Sequence, residues 1–152
     1  MFQVTVEEEF AAGHALRGYR GKCENQHGHN YKVRVTLEGP SLNNIGLLYD
    51  FVDLKRALHT SISKLDHQFM NNVSPFDVLN PSAENLAKYF YDEVARLLAG
   101  HAASSFTGNA DAGAAEPAPP ALCQVNNVTV WETGTTTATY FRDGDRTVGS
   151  AG

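Results

Sequence analysis

The spacing of hydrophobic residues changes twice along this chain, and the order of those changes limits the possible fold more than any other feature. Near the N-terminus Phe2, Val4 and Val6 alternate with polar residues, and the same period of two recurs over residues 31–37 and 128–130. Successive residues of a strand point to opposite faces, so this period indicates half-buried strands. Between these segments apolar residues fall at intervals of three and four, which is typical of amphipathic helices.

The first helical pattern covers residues 51–65, and either Asp50 or Asp53 is placed to cap its start. The second begins after Pro81 and is predicted to end at Gly100, where a glycine C-cap belongs. A turn at residues 133–135 then precedes a returning strand that ends at Phe141.

The predicted order is strand, strand, helix, helix, strand, strand. Strands that group at both ends, instead of alternating with helices, indicate an antiparallel α+β domain. Four strands leave two sheet edges with unpaired backbone groups, so we expect self-association that covers them.

The length of 152 residues and the hydrophobic content of 42% predict one domain over residues 1–152. Residues 101–121 are rich in Ala, Gly, Ser and Pro and lack periodicity, as a flexible insertion would. No signal-peptide pattern and no apolar run of roughly 20 residues is present, so we expect a cytoplasmic protein in which Cys23 and Cys123 stay reduced. The net charge of −5 argues against nucleic acid or a membrane as a partner.

The densest chemical signal is the motif His27-Gly28-His29. Residues two apart on a strand share a face, so both imidazoles can reach one ion, and a hairpin would bring His14 beside them. A His-x-His pair alone is more often two ordinary histidines, and His14 is what favours a metal site. Three neutral imidazoles with no fourth protein ligand are typical of an open catalytic Zn²⁺ site.

Cys23 lies four residues before His27, in a loop that would bring its sulfur near the metal. A nearby cation lowers the pKa of a thiol, so a Cys23 thiolate could remove a proton from a substrate. Two other interpretations stay open on the residues alone: a fourth zinc ligand, or a small buried apolar residue. The adjacent Glu24 is a second candidate base, or else a solvated loop carboxylate.

Asp66 and His67 follow the first predicted helix, and a carboxylate that orients a neighbouring imidazole is common in proton-transfer sites. The alternative is a histidine that the helix dipole favours. Glu132 shares the parity of Val128 and Val130, so its carboxylate is expected to point inward, where it needs hydrogen-bond donors. A bound heterocycle with N–H groups would supply them, whereas the alternative is a solvated turn.

The segment from residue 17 to residue 34 has a local charge of +4. Its basic residues are Arg17, Arg20, Lys22, Lys32 and Arg34, against Glu24 alone. Positive potential beside the metal would suit an anionic substrate such as a phosphate ester, whereas a solvated basic loop is the alternative.

Six ordered motifs resemble those of the 6-pyruvoyltetrahydropterin synthase and 6-carboxytetrahydropterin synthase family. They are the segments Phe10–His14, Cys23–Tyr31, Gly46–Phe51, Leu65–His67, Pro81–Asn85 and Val130–Thr133. The resemblance spans nearly the whole chain except residues 101–121. It implies the tunnelling fold (T-fold), a four-stranded antiparallel sheet with two helices on one face. Trimers close this sheet into a barrel and stack into a homohexamer, with active sites between subunits.

The resemblance also implies a role for each candidate residue. By this resemblance Zn²⁺ is expected to be bound by His14, His27 and His29. Cys23 is expected to act as the base, Asp66 and His67 to assist proton transfer, and Glu132 to anchor the pterin ring. Further substrate contacts are expected from Glu24, Ser82 and Glu84.

The substrate that the resemblance implies is 7,8-dihydroneopterin triphosphate. Three residues separate Cys23 from His27, as in bacterial carboxy-forming enzymes of queuosine biosynthesis, whereas animal pyruvoyl-forming enzymes have five. This spacing favours 6-carboxytetrahydropterin formation, with release of acetaldehyde and triphosphate. Glu24 beside Cys23 resembles a subgroup that cleaves dihydroneopterin to a 6-hydroxymethylpterin for folate synthesis. Pyruvoyl formation and a non-catalytic pterin-binding hexamer are further alternatives.

Overall fold

The computed structural model describes residues 1–105 and 122–142. Its main elements follow the predicted order ββααββ: β1 (Phe2–His14), β2 (His27–Gly39), α1 (Phe51–Ser63), α2 (Ala83–Ser105), β3 (Gln124–Thr133) and β4 (Thr136–Phe141). Two short 3₁₀ turns, Lys22–Glu24 and Met70–Asn72, lie in the connections.

The four strands form one antiparallel sheet in the order β1-β2-β3-β4. Both helices pack on the same face of this sheet, which confirms the predicted α+β architecture. The alternate residues of the strands that face the helices form the core with the apolar stripes of α1 and α2. Its largest buried side chains include Tyr31, Leu37, Leu54, Leu58, Phe76 and Phe90.

The pairing of β1 with β2 is continuous over all 13 residues of β1. Phe10 pairs with Tyr31, and their rings stack at a centroid distance of 5.1 Å. The same register ends with His14 opposite His27. The hydrophobic pairing therefore determines which residues meet at the end of the hairpin.

The predicted end of α2 at Gly100 is wrong, because the helix continues to Ser105. A glycine inside a helix costs about 1 kcal/mol relative to alanine. The flanking Ala99, Ala102 and Ala103 are the strongest helix formers and offset that cost. Residues 106–121 of the predicted insertion lie outside the described residues. Within the described part of the chain, no helix has the length and apolar character that a membrane crossing requires.

The connection between α1 and α2 runs along the outer edge of β1. The His67 amide donates to the Ala11 carbonyl at 2.6 Å, and the Gly13 amide donates to the Gln68 carbonyl at 2.9 Å. A parallel bridge joins Gly13 to Phe69. Residues 67–69 therefore cover the end of the outer edge of β1. Over residues 2–10 this outer edge pairs with no strand of the described chain.

Two asparagines of the same connection bind the backbone beyond the end of β1. The Asn71 amide accepts from the Ala15 N–H and donates to the Ala15 carbonyl, at 2.9 and 2.8 Å. Asn80 makes the same pair of hydrogen bonds with Arg17, at 2.8 and 2.9 Å. The backbone on the C-terminal side of His14 is consequently held at two successive points.

The α1 N-cap gives a first prediction. Asp50 accepts a hydrogen bond from the Val52 amide at 2.7 Å, so Asp50→Ala should lower the free energy of unfolding by about 1 kcal/mol. Asp50→Ser keeps a capping oxygen and is expected to stay near the wild-type value. Urea denaturation of the three proteins tests this, and equal losses in both variants would contradict the capping role.

Candidate metal centre

Three histidine rings converge at the end of the β1–β2 hairpin. The ring centroids of His14, His27 and His29 lie 4.5 to 5.1 Å apart. One ligand atom from each histidine and one from Glu132 all lie within 4.8 Å of one another. The structure therefore brings His14 together with the two histidines of the His27-Gly28-His29 motif, while their role as metal ligands stays a prediction.

Two carbonyl oxygens determine which ring nitrogens are available. His14 Nδ1 lies 2.7 Å from the Pro81 carbonyl, and His27 Nδ1 lies 2.7 Å from the Asn25 carbonyl. Because a carbonyl oxygen can only accept, each Nδ1 carries a proton, and in the neutral form of each ring the Nε2 atom presents a lone pair. The two Nε2 atoms are 2.9 Å apart. Two lone pairs at that distance repel each other unless a cation lies between them, and histidine ligands are commonly oriented by such carbonyls.

His29 completes the donor set. Its Nε2 atom is buried and has no hydrogen-bond partner among the described residues, although Glu132 Oε1 is 3.3 Å away. Burial lowers the pKa of His29 and of His14, so both favour the neutral form that binds metal. Three neutral imidazoles and a carboxylate are the ligands that Zn²⁺ takes in proteins. The residues therefore fit a divalent metal ion.

The Glu132 carboxylate points toward the histidines, as the parity of β3 predicts. Its proximity to the presumed ligands was not predicted, because the sequence offered only Cys23 as a possible fourth protein ligand and gave Glu132 a role in binding the substrate ring. The only signal in the sequence was that Glu132 shares the parity of the inward-facing Val128 and Val130. Parity places a residue on one face of a sheet, but it does not give the distance from that residue to a residue of another strand.

Cys23 lies in the 3₁₀ turn Lys22–Glu24, and its carbonyl accepts from the Leu16 amide at 2.9 Å. Its side chain is half-buried and free, as is that of Cys123, and Glu24 beside it is exposed. Within the described chain Cys23 is not part of the group that could share an ion. The structure therefore gives no support to Cys23 as the fourth ligand.

Asp66 and His67 form a pair beside this centre. Asp66 Oδ1 accepts from the Ala11 amide at 3.1 Å and lies 2.9 Å from His67 Nδ1. The Ala11 N–H is the main cause that lowers the pKa of Asp66. His67 is the one described non-glycine residue with a positive φ, 57°, which places it in the left-handed region that few non-glycine residues adopt.

His29 and His67 both line a cleft of about 420 Å³, whose walls include residues 11–13 and 28–30. Because Asp66 Oδ1 accepts a hydrogen bond from the Nδ1–H of His67, the Nε2 atom of the neutral His67 ring carries the lone pair that can accept a proton. The His67 side chain is 81% exposed, so it is accessible to a molecule in the cleft.

Ser82 and Glu84 belong to the start of α2. Ser82 Oγ accepts from the Asn85 amide at 3.3 Å, so it caps this helix, and Glu84 is exposed in the first turn. Neither residue lines the cleft described above. Their substrate contacts stay a prediction.

The predicted basic segment does not form one positive region. Arg17 is engaged by backbone, since its guanidinium donates to the carbonyl oxygens of Asn71, Phe76, Asp77 and Leu79. Lys32 and Arg34 lie on the opposite face of the sheet from the helices. There they approach the Trp131 ring at 4.3 and 4.7 Å, and Arg34 pairs with Glu7 at 2.6 Å. Only Arg20 and Lys22 remain in the loop that holds Cys23.

Comparison with known proteins identifies the group to which this arrangement belongs. The family model of 6-pyruvoyl tetrahydropterin synthase matches residues 3–143. The chain belongs to this family. It is 31% identical over 138 residues to the 6-carboxy-5,6,7,8-tetrahydropterin synthase of Aquifex aeolicus, and the aligned region covers 78% of this chain and 75% of that protein. It is 36% identical over 110 residues to the 6-pyruvoyl tetrahydrobiopterin synthase of Poecilia reticulata, which covers 62% and 74%.

Solved structures of 6-pyruvoyl tetrahydropterin synthases share the architecture. The Caenorhabditis elegans protein of that name matches with a TM-score of 0.68 and 26% identity, over 93% of this chain and 97% of that chain. The predicted family and the predicted T-fold are both confirmed.

The imidazole pKa shifts predict how the stability of the metal-free protein depends on pH. His14 and His29 have folded pKa values below 6.5, so near and below that pH the unfolded chain binds protons that the folded chain does not. The free energy of unfolding therefore decreases as the pH falls from about 6.5 through the lower folded pKa values of these two residues. His59 has the opposite sign, because its hydrogen bond with Glu8 raises its pKa. Its contribution is present at low pH and is lost as the pH rises through the folded pKa.

Urea denaturation in a chelator between about pH 5 and 8 measures this difference. His29→Asn should flatten the rise of the free energy of unfolding with pH, and His59→Asn should steepen it. Equal pH slopes in wild type and both variants would exclude the assigned shifts.

Proposed function

We propose that this chain is a zinc-dependent 6-carboxy-5,6,7,8-tetrahydropterin synthase that acts on 7,8-dihydroneopterin triphosphate. One observation carries the proposal: three imidazoles converge beside a cleft in a chain of the 6-pyruvoyl tetrahydropterin synthase family. The family match supports pterin chemistry, and relatives under both product names are similar to the chain. The choice of the carboxy product, and hence of the queuosine pathway, rests on the three residues between Cys23 and His27.

In this proposal His14, His27 and His29 hold Zn²⁺ through their unprotonated nitrogens. The bound ion would supply Lewis acidity that lowers the pKa of the hydroxyl groups on the substrate side chain. The carbonyl oxygens of Pro81 and Asn25 keep the His14 and His27 rings turned toward the ion. The cleft lined by His29 and His67 would receive the reacting side chain.

Cys23 is the proposed base that removes a proton from the substrate side chain. Asp66 keeps His67 in the tautomer whose Nε2 accepts a proton, so the pair can exchange protons with a molecule in the cleft. Glu132 is the proposed anchor of the pterin, since a carboxylate can accept two hydrogen bonds from adjacent N–H groups of a heterocycle. Reducing conditions in the cytoplasm would keep the Cys23 thiol available.

The unpaired edges support assembly into the homohexamer that the family resemblance implies. The outer edge of β4 and the outer edge of β1 over residues 2–10 pair with no strand of the described chain. Such edges pair readily with another copy. The high exposure of His67 fits an active site that a neighbouring subunit completes.

Incubation of the zinc-loaded protein with 7,8-dihydroneopterin triphosphate tests the reaction. We expect 6-carboxytetrahydropterin, acetaldehyde and triphosphate, identified by mass spectrometry. Cys23→Ala should lower turnover by at least about 100-fold, as removal of a general base does, whereas Cys123→Ala is the matched control and should stay active. His27→Ala should lose the metal, measured by elemental analysis. Unchanged turnover in Cys23→Ala would remove the thiol from the mechanism.

Glu24 provides a second candidate activity, because it is exposed directly beside Cys23. If Glu24 supports cleavage of dihydroneopterin to a 6-hydroxymethylpterin, Glu24→Ala should lose that product and keep 6-carboxytetrahydropterin formation. A pyruvoyl product in the same assay would instead favour 6-pyruvoyltetrahydropterin synthase activity. Substrate that binds without any product would favour a non-catalytic pterin-binding hexamer.

A further inference from the structure

We propose that Glu132 is a fourth metal ligand before substrate binds, and that its carboxylate leaves the ion when the pterin enters. This inference rests on the proposed function, because it concerns the same ion and the same substrate. It gives Glu132 two successive partners, first the metal and then the ring.

The distance from Glu132 to His29 is that of two ligands that share one ion. Bonds of about 2.0–2.2 Å at tetrahedral angles place neighbouring ligand atoms about 3.4 Å apart. Glu132 Oε1 lies 3.3 Å from His29 Nε2. This contact does not satisfy the nitrogen, since His29 Nε2 is buried without a hydrogen-bond partner among the described residues. A shared cation satisfies both atoms at this spacing.

The charges support the same assignment. Three neutral imidazoles leave both positive charges of Zn²⁺ uncompensated, and Glu132 is the one anionic side chain of the four-residue group. In the described ranges Glu132 forms no ion pair with a lysine or an arginine, and its side chain is only 23% exposed. A partly buried carboxylate without a cationic partner is costly, and the metal provides that partner.

The backbone at Glu132 differs from the regular ladder. The β3–β4 register shifts between Trp131 and Thr133, so Glu132 is the extra residue of a bulge. Bulges re-aim side chains and interrupt strand pairing. Glu132 is therefore not fixed by a cross-strand pair with β4, so its side chain can turn from the ion to a ligand bound beside it.

The exchange couples recognition to activation. Three histidines and Glu132 fill the four positions of a tetrahedral ion, so the substrate side chain needs a position that Glu132 holds. Adjacent ring N–H groups offer the carboxylate a substitute for the metal charge. A pterin then opens a coordination position by drawing Glu132 away, whereas a small alcohol without such donors does not.

Zinc affinity measured by competition with a chromophoric chelator tests the ligand role without turnover. Outer partners of metal ligands change affinity by about 10–100-fold, so Glu132→Gln should weaken zinc binding by more than about 100-fold. Glu8→Gln is the matched control, because Glu8 is a carboxylate beside the exposed His59, and it should bind zinc as wild type does. A loss smaller than about 100-fold in Glu132→Gln would overturn the proposal.

The absorption spectrum of the cobalt-substituted protein provides a second measurement. Wild type and Glu8→Gln should give the same spectrum before ligand is added, and Glu132→Gln should differ from both. Addition of 7,8-dihydroneopterin should change the wild-type spectrum, since the carboxylate is replaced. Identical spectra of wild type and Glu132→Gln without ligand would overturn the proposal, as would a wild-type spectrum that the pterin leaves unchanged.

The two proposals fail in different ways. Zinc binding that depends on Glu132, in a protein that makes no pterin product, would contradict the proposed reaction and leave the ligand role standing. Normal turnover by the wild type, with zinc affinity that Glu132→Gln does not change, would contradict the ligand role alone.

Discussion

The uninterrupted pairing of β1 with β2 is the constraint on which the candidate site depends. Along this ladder Val6 faces Val35 and Phe10 faces Tyr31, and the same register brings His14 opposite His27. A slip of one residue would turn the ligands of one strand to the other face of the sheet, together with the apolar residues that share their parity. The burial of the core and the convergence of the imidazoles are therefore set by the same backbone hydrogen bonds.

The connection between the helices adds what the sheet alone lacks. It covers the end of the β1 edge, brings His67 to the cleft with Asp66 beside it, and supplies the Pro81 carbonyl that orients His14. Loops commonly carry functional groups on a rigid scaffold. Here the loop also stabilises the scaffold, so a substitution at Asn71 or Asn80 would act on the three-histidine cluster through the backbone that follows His14.

The sequence predicted those parts of the molecule that depend on local spacing. The order of strands and helices, the α1 cap and the meeting of three histidines follow from parity and a hairpin. The approach of Glu132 to His29 depends on the pairing of β2 with β3 and on a bulge. No periodic pattern of hydrophobic residues in the sequence indicates either feature. The local charge of residues 17–34 did not predict one positive region, because strand residues alternate between the two faces of the sheet. In addition, Arg17 binds carbonyl oxygens that lie more than 50 residues away along the chain. The predicted helix end at Gly100 was wrong because the helix propensity of the neighbouring alanines offsets the cost of one glycine.

The carbonyl oxygens of Asn25 and Pro81 have a consequence for the choice of ion. They orient two of the rings before any ion arrives, so the rotational entropy of those side chains is lost during folding and not during chelation. A preformed nitrogen-rich cage of this kind discriminates by ligand type and coordination number. Mg²⁺, which prefers six oxygen ligands in octahedral geometry, would bind poorly. Softer first-row ions that accept imidazole ligands would instead compete with one another for the same binding site.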